Sequence, residues 1–358
     1  MIRLADKLFA AQALSQNALA KYNLWYVVES ANWAVRSVGE SILGELGEQA
    51  VAPAHLTVSP WAARKGIVHF GSLPTLFTRH GLRRAHASCR TVATIFHIAS
   101  DQHRAKAIKA AAYVDRLHTT TQATADQLIE LGVQADRIVT IPLGVNRRLF
   151  APVSESMKLA RRQQLGISPG AIVIGSFQKD GVGWGAGREP KLEKGPDILV
   201  EALAAVNSSL PVHVLLAGPA RGYVTDRLHQ MGIPFTAVGF VKRLADVAAL
   251  YQALDAYLIS ARTEGGPLSL LEAWATGIPV VTTNVGLVAD HARHEQNALV
   301  SPTGKASDLG AELHRVLADP SVGRALVAQA SADVRAFEWP TIAAQYYDRL
   351  YRPLIAGI

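Results

Sequence analysis

Short apolar runs alternate with helical patterns along most of this chain, and the alternation occurs twice. Alternation of this kind predicts parallel strands joined by crossover helices. The two series are separated by a polar, proline-containing stretch at 151–165 that has no strand pattern. The sequence therefore predicts an α/β fold with two successive α/β halves and a cleft between them, where ligands bind at the carboxyl ends of the strands. The predicted strands are 24–28, 55–58, 66–70, 91–98 and 137–141 in the first half, and 171–177, 212–217, 235–238, 256–260 and 278–282 in the second.

The chain has 358 residues, which is enough for two domains. With the boundary in the polar stretch, the first domain covers 1–155 and the second covers 156–339. The prediction leaves open that a C-terminal helix at about 340–358 packs back on the first domain.

The single cysteine, Cys89, excludes an intramolecular disulfide and a cysteine-based zinc cage, and it suits a reducing compartment. No run is long and apolar enough to predict a transmembrane helix. Near the start, Arg3 and Lys7 precede an apolar stretch that ends at Ala20, an outline that signal peptides share. Leucine and alanine at helical spacing favour a retained amphipathic helix. We therefore expect a cytoplasmic protein, and peripheral attachment to the inner face of the membrane stays open.

The positive charge of the chain is concentrated in its first half. Residues 1–150 hold 17 Lys/Arg and 10 Asp/Glu, whereas residues 151–358 hold 19 of each, so the first half carries the net charge of +7. Ten of the basic residues fall between Arg64 and Arg116. This face is either merely solvated or binds an anionic partner such as a phosphate-bearing lipid or an acidic polymer. No nucleic-acid-binding module is visible and stacking aromatics are not interleaved, so nucleic acid is not the predicted partner.

The segment from Ala256 to Val281 carries the clearest chemical signal. Its pattern is strand, loop, helix and strand, with Pro267 suited to the first helical turn and Gly277 to the position after the helix. Gly265 and Gly266 let the backbone approach a ligand closely, and a helix N-terminus directs N–H groups and partial positive charge toward it. The pattern predicts a phosphate site.

Two carboxylates flank this predicted phosphate site. Glu264 lies in the loop, within reach of a polyhydroxy group beyond the phosphates. Glu272 lies in a helix that is apolar nearly all round, where a carboxylate is costly unless it is hydrogen-bonded. The hydroxyls of a ribose would provide suitable hydrogen-bond donors. We therefore interpret Glu272 as a residue that binds a ligand and not as a solvated surface residue.

These residues form a pattern that resembles the E-x7-E signature of retaining glycosyltransferases of family four, which have the GT-B architecture of two facing Rossmann-like domains. The resemblance covers about residues 90–340 and is most specific between 171 and 303. Further segments that resemble the family are Lys194-Gly-Pro-Asp-Ile-Leu, Leu216-Ala-Gly, Val238-Gly-Phe-Val, Thr94-Ile-Phe-His97 and Ile141-Pro-Leu-Gly-Val-Asn146.

The resemblance implies a role for each matching residue. Glu264 would contact the donor sugar and act in catalysis, Glu272 would bind the ribose, and Lys194 would bind the diphosphate. His97 would be a catalytic-site histidine, with a packed structural histidine as the alternative. The remaining donor-binding residues would be Gly265, Gly266, Pro267 and Leu268 at the sugar and diphosphate, and Gly239 and Phe240 at the base.

The chain departs from the family pattern at two places. The family usually has an arginine directly after the glycine of the first strand in the second domain, but here Gly175 is followed by Ser176. Lys179 is the nearest replacement as a second diphosphate cation. The glycine-rich loop near the first strand is replaced by Glu29–Trp33.

Two other patterns resemble known binding motifs but are not interpreted as binding sites. Gly181–Ala186 satisfies a G-x-G-x-x-A dinucleotide pattern but opens no helix, so we expect a mobile loop at 179–193 that closes over the donor. The cluster at 290–295 lacks metal-binding spacing and is expected to be a surface cluster. The chain contains no Asp-x-Asp motif, so neither a metal nor another cofactor is expected.

The resulting prediction is a retaining, metal-independent hexosyltransferase that uses a nucleoside-diphosphate sugar, with UDP or GDP as the favoured nucleotide. Its acceptor would be a glycan, a lipid-linked sugar or a small molecule, in a cell-envelope pathway. A nucleotide-sugar epimerase with the same fold is the alternative, as is a non-catalytic module that binds nucleotide sugars or docks on membranes.

Overall fold

The computed structural model describes residues 23–29, 34–48 and 54–355. The helix predicted near the N-terminus lies outside these residues, and so do residues 30–33 of the segment that replaces the glycine-rich loop. The described chain packs as two compact units. One contains the residues up to Gly144 and those from Trp339 onward, and the other contains Val145–Glu338.

The segment between Val145 and Phe150 belongs to the second unit. Both of these side chains are in its hydrophobic core, and the Val145 N–H donates to the Phe337 carbonyl at 2.8 Å. Residues 145–155, which the predicted boundary at 155/156 assigns to the first domain, therefore belong to the second unit. The polar stretch that follows contains a helix at Glu155–Gln164, begun by Ser154, whose side chain accepts a hydrogen bond from the Met157 N–H.

Six described strands of the first unit form a parallel sheet in the order β2-β1-β3-β6-β7-β8. Every residue of β1 and β3 is buried, as expected for central strands covered by helices on both faces. The strands are β1 Asn23–Val27, β2 Ala54–Thr57, β3 Gly66–Phe70, β6 Cys89–Thr94, β7 Arg116–Thr119 and β8 Ile138–Thr140, with the small hairpin β4 Phe77–Thr78 and β5 Gly81–Leu82. The helices are α1 Ala34–Glu48, α2 Leu73–Leu76, α3 Asp101–Tyr113 and α4 Gln122–Glu130.

The last described residues form a helical segment that packs on the first unit, made of α13 Trp339–Gln345, a π-helical turn at Tyr346–Tyr351 and α14 Arg352–Ile355. A buried polar relay joins it to the sheet through four hydrogen bonds of 2.7–3.0 Å. The Ile141 carbonyl can only accept, so His118 donates to it from Nε2, and Thr94 in turn donates to His118 Nδ1. His69 Nε2 then donates to Thr94, and the Tyr351 hydroxyl donates to His69 Nδ1. This order of donors requires both histidines to be neutral.

The second unit has a six-stranded parallel sheet in the order β11-β10-β9-β12-β13-β14. The strands thus follow the 3-2-1-4-5-6 order of a dinucleotide-binding fold, whose order reverses between β9 and β12. Hydrophobic cores cover both faces. The strands are β9 Ile172–Phe177, β10 Val212–Ala217, β11 Phe235–Ala237, β12 Ala256–Ile259, β13 Val280–Thr283 and β14 Leu299–Ser301. The helices are α5 Glu155–Gln164, α6 Pro196–Asn207, α7 Gly222–Gln230, α8 Leu244–Tyr251, α9 Leu268–Thr276, α10 Leu287–His291, α11 Ala306–Ala318 and α12 Pro320–Asp333.

Candidate functional site

The loops that follow β9 and β12 meet at the point where the strand order of the second sheet reverses. In open α/β sheets, ligands bind at the carboxyl ends of the strands at such a switch point. Lys194 lies at the end of the β9 loop, and Glu264 lies in the β12 loop. The fold therefore brings together two predicted site residues that are 70 positions apart in the chain.

Lys194 and Glu264 form an ion pair at this switch point. The Lys194 Nζ donates to Glu264 Oε1 at 2.5 Å, and the two side chains are only 19% and 17% exposed. Gly195 follows with φ +60°, and a Cβ there would collide with the carbonyl oxygen of Ser260. Because only glycine permits this close approach, the backbone of the β9 loop lies directly against that of the β12 loop.

The N-terminus of α9 begins beside this pair. Pro267 occupies the N-cap position and has no side-chain acceptor for the first N–H groups of the helix. The Leu270 N–H donates to the Pro267 carbonyl at 3.0 Å, and Gly277 ends the helix in the left-handed conformation, as the sequence predicts. Gly265, Gly266 and Leu268 are thereby placed at a helix end that favours anions.

Glu272 lies one turn farther along α9, against an aromatic cluster. Its Oε2 accepts a hydrogen bond of 2.9 Å from the Tyr251 hydroxyl, and Tyr251 in turn packs on Phe150, Phe177 and Tyr257. Loss of water around the carboxylate raises the pKa of Glu272 to about 7, and the Tyr251 hydrogen bond opposes this shift. A carboxylate held this way is poorly solvated and would gain from additional hydrogen-bond donors.

Gly239 and Phe240 follow β11 near a pocket of the second unit. The Gly218 N–H donates to the Gly239 carbonyl at 2.7 Å, and Phe240 is 48% exposed. The pocket has a volume of about 380 Å³ and includes Gly218, Gly239 and Arg188 in its lining. An exposed phenyl ring offers a flat apolar face on which a planar base can stack.

Lys179, predicted as a second diphosphate cation, lies over an aromatic ring of its own loop. Its Nζ lies 4.5 Å from the centroid of the Trp184 ring, an exposed tryptophan in the same loop. The described contact of this cation is thus with an aromatic face, and its role at the diphosphate stays a prediction.

The loop predicted to be mobile at 179–193 is a hydrogen-bonded hairpin. The Val182 N–H donates to the Glu189 carbonyl at 2.9 Å, and the Lys191 N–H donates to the Asp180 backbone carbonyl at 2.8 Å. A Cβ at Gly187 would collide with the backbone of Ala220, so the hairpin lies directly on the turn before α7.

A buried arginine, Arg221, lies beside Ser176. Ser176 occupies the position at which the family pattern has an arginine. Arg221 is 5% exposed, and its guanidinium donates to the Ser176 carbonyl at 2.6 Å and to the Ser176 hydroxyl at 3.3 Å. Its Nε lies 3.0 Å from a carboxylate oxygen of the fully buried Asp180. The guanidinium thus connects the end of β9 to Asp180 at the start of the hairpin.

His97 lies in the first unit, three residues after the end of β6. Its ring packs edge-on against His103, with centroids 5.5 Å apart. His97 is predicted either as a catalytic-site residue or as a packed structural histidine, and both alternatives stay predictions.

The residues that sequence reasoning missed are Arg262 and Tyr251. Arg262 forms two hydrogen bonds with Asp197, at 2.8 and 2.6 Å. Its position two residues before Glu264, opposite an aspartate three residues after Lys194, is a signal that could have found the pair. Tyr251 has no such local signal, because it reaches Glu272 only through the packing of α8 on α9.

No metal-binding cluster occurs among the described residues, and in the predicted surface cluster Glu295 pairs with Arg315 at 2.6 Å. Within the same ranges, no helix is long and apolar enough to span a membrane. A larger cavity of about 750 Å³ is lined by Ile172, Asp255 and Pro279. These residues lie at the amino ends of the strands, so this cavity is at the opposite edge of the sheet from Lys194.

Comparison with sequence families gives two matches that together cover most of the chain. Residues 184–319 match the family described as glycosyl transferases group 1. Residues 46–149 match the family described as glycosyltransferase family 4. The chain belongs to glycosyltransferase family four. The predicted resemblance is therefore confirmed, and the second match extends it to the region before residue 90, where the motifs fit loosely.

Among curated proteins, this family-four chain is similar to D-inositol 3-phosphate glycosyltransferases. It is 30% identical to that of Saccharomonospora viridis over 260 residues, which are 69% of this chain and 57% of the relative. It is 28% identical to that of Streptomyces bingchenggensis over 248 residues, 65% of this chain and 52% of the relative. The chain thus spans about half the length of the curated relatives it matches.

Solved structures confirm the predicted GT-B fold. Anabaena HepE in complex with UDP and glucose superposes with a TM-score of 0.74 at 19% identity, covering 92% of this chain and 99% of HepE. Sucrose-phosphate synthase from Thermosynechococcus elongatus has a TM-score of 0.68 at 18% identity, covering 98% of this chain and 94% of the other. Both units of the family-four chain are parallel-sheet α/β units, as this fold requires.

Proposed function

We propose that this protein is a glycosyltransferase that moves a sugar from a nucleoside diphosphate to an acceptor, with retention of configuration at the anomeric carbon. The observation that carries the proposal is the Lys194–Glu264 pair beside the N-terminus of α9, at the switch point of the second sheet. A cation, a helix N-terminus and a carboxylate at one point match a sugar joined to a diphosphate.

Each group of the site has a proposed task. Lys194 and the N-terminus of α9 bind the diphosphate and stabilise the charge that develops on it as it leaves. Glu264 interacts with the sugar as it gains positive charge, and Glu272 accepts hydrogen bonds from the ribose. Phe240 and the backbone of Gly239 contact the base.

The proposed reaction is attack from the face that the leaving group departs from. The bond between the anomeric carbon and the diphosphate oxygen breaks, and the acceptor oxygen bonds to the same carbon. The acceptor proton passes to the departing diphosphate oxygen. No protein nucleophile takes part in this reaction.

Similar proteins support the nucleotide sugar as the substrate. HepE has been crystallised with UDP and with UDP-glucose, and it covers 92% of this chain. The curated relatives act on D-inositol 3-phosphate according to their names. We therefore propose a UDP-sugar as the first donor to test and a phosphorylated polyol as the first acceptor.

The test is incubation of the pure protein with UDP- and GDP-sugars, with and without inositol phosphates, followed by NMR. The expected result is release of nucleoside diphosphate and a product that keeps the anomeric configuration of the donor. An inverted product would contradict retention. Rearranged donor without release would indicate an epimerase, and binding without turnover would indicate a non-catalytic module.

We also propose that transfer needs no metal ion. Lys194 and the N-terminus of α9 supply the positive charge that a divalent cation would otherwise bring to the diphosphate. Activity in excess EDTA is therefore expected to stay within about twofold of the untreated rate, because the groups at Lys194 and α9 are not removed by chelation. Loss of activity on chelation, restored by Mn²⁺ or Mg²⁺, would contradict this part of the proposal.

A further inference from the structure

A second ion pair joins the first turn of α6 to the β12 loop, close in the chain to Lys194 and Glu264. The Arg262 guanidinium donates to both carboxylate oxygens of Asp197, at 2.8 and 2.6 Å. Arg262 is two residues before Glu264, and Asp197 is three residues after Lys194. The forked, two-bond geometry fixes the orientation of the loops as well as their separation.

The backbone reinforces this contact at the same place. The Glu193 carbonyl accepts hydrogen bonds from the N–H groups of Arg262 and Thr263, at 2.8 and 3.0 Å. The Arg262 side chain also donates to the Leu192 carbonyl at 2.9 Å. One guanidinium thus ties the turn before Lys194, the first turn of α6 and the loop before Glu264 to each other.

The position of Glu264 is constrained from its other side as well. Gly286, at φ +49°, lies so close to the Glu264 carbonyl oxygen that a Cβ there would collide with it. The backbone at Glu264 is therefore held by the contacts of Arg262 and Thr263 on one side and by Gly286 on the other. The described hydrogen bond of the Glu264 carboxylate is the one from Lys194.

We propose that Arg262 and Asp197 are positioning residues, which hold the Glu264 carboxylate and the Lys194 ammonium at the separation that donor chemistry requires. This inference rests on the proposed function and adds residues that touch neither sugar nor nucleotide. Hydrogen bonding to Arg262 lowers the pKa of Asp197, so the pair stays charged at neutral pH. Their side chains are 34% and 26% exposed, and pairs this accessible contribute little to the free energy of unfolding. Loss of the pair is therefore expected to leave the protein folded.

The test compares four proteins with the wild type: Arg262→Met, Asp197→Asn, the exchanged pair Arg262→Asp with Asp197→Arg, and the control Arg293→Met. Arg293 also pairs with an aspartate, Asp333, at 2.8 Å. For each protein we measure kcat and KM for donor turnover, the Kd for UDP and the melting temperature.

The single variants are expected to lower kcat about 10- to 100-fold, because small misplacements of a reacting group have effects of this size. Their Kd for UDP is expected to stay within about threefold, since Lys194, Glu272 and α9 are intact. The exchanged pair should regain part of the lost kcat, and Arg293→Met should match the wild type.

Wild-type kcat in Arg262→Met would overturn the proposal while the proposed function stands. A parallel loss of kcat and UDP affinity would also overturn it, because that pattern indicates a collapsed site. If the wild type neither binds UDP nor turns over any donor, the proposed function fails and the positioning role fails with it.

Discussion

At the scale of single residues, Glu272 should make stability and donor binding respond to pH in opposite directions. Its pKa is raised to about 7 in the folded protein by loss of water, from an ordinary value of 4.5. The folded state thus holds the proton more tightly than the unfolded state, so the free energy of unfolding decreases as pH rises from about 4.5 through 7. A shift of this size corresponds to at most about 3 kcal/mol.

We predict that Glu272→Gln stabilises the protein at pH 8 and changes little at pH 5, as measured by urea unfolding. The amide can still accept the Tyr251 hydrogen bond but never becomes charged. The donor KM of the wild type should decrease from pH 6 to pH 8 as the carboxylate ionises, whereas that of Glu272→Gln should stay high and flat. Equal stability of the two proteins at pH 8 would contradict the burial argument.

In the proposed function, Glu264 and the donor diphosphate would compete for the Lys194 ammonium group. Its carboxylate lies 2.5 Å from Lys194 Nζ, so its removal leaves Lys194 available to an anionic ligand. We predict that Glu264→Gln lowers kcat about 10²–10³-fold, because the developing positive charge on the sugar loses its partner. UDP should bind at least as tightly as to the wild type in calorimetry. Weaker UDP binding would contradict the competition, and Glu295→Gln, which alters an exposed ion-paired carboxylate, is the control.

At the scale of elements, the relay through His69, Thr94 and His118 joins the C-terminal helical segment to the first sheet. Burial lowers the pKa of His118 to about 4, below its usual 6.5. The stability that depends on neutral His118 is therefore fully present above pH 6.5 and is lost as pH falls toward 4. Up to about 3 kcal/mol is expected to disappear over this range.

We predict that Tyr351→Phe lowers the free energy of unfolding at pH 7.5 by about 1–3 kcal/mol, because His69 Nδ1 is left buried without a donor. Tyr347→Phe is the matched control, since its hydroxyl takes no part in the relay. Urea unfolding of both variants and the wild type at pH 7.5 and 5 measures the effect. A Tyr351→Phe protein as stable as the control would show that the relay does not anchor the segment.

At the scale of the whole molecule, the excess positive charge of the first half is available to an anionic surface only in part. Arg79 and Arg84 are exposed, but Arg83 donates to the backbone carbonyls of Val58 and Thr75, so its substitution would also disturb the fold.

We predict that the protein binds vesicles with anionic lipids at low salt. Changing Arg79, Arg84 and Lys109 together to glutamine should weaken binding on the order of a hundredfold, at about 1 kcal/mol per charge. The matched control changes Lys305, Arg324 and Arg335 of the second unit, and unaltered binding in the first triple variant would leave this face merely solvated.

The sequence by itself determined the features that depend on neighbouring residues. Pro267 and Gly277 predicted the ends of α9 to within one residue, and the E-x7-E spacing predicted Glu264 and Glu272 as site residues, because helix limits and motif spacing are local properties. Alternating apolar runs predicted five of the six strands in each parallel sheet and missed β7 and β14. Only the tertiary structure decided what distant segments do to one another. The order of strands makes β9 and β12 neighbours, which pairs Lys194 with Glu264 and Arg262 with Asp197. The packing of α8 on α9 brings Tyr251 to Glu272 and removes the water that would keep its pKa ordinary, an effect of burial that no local pattern encodes.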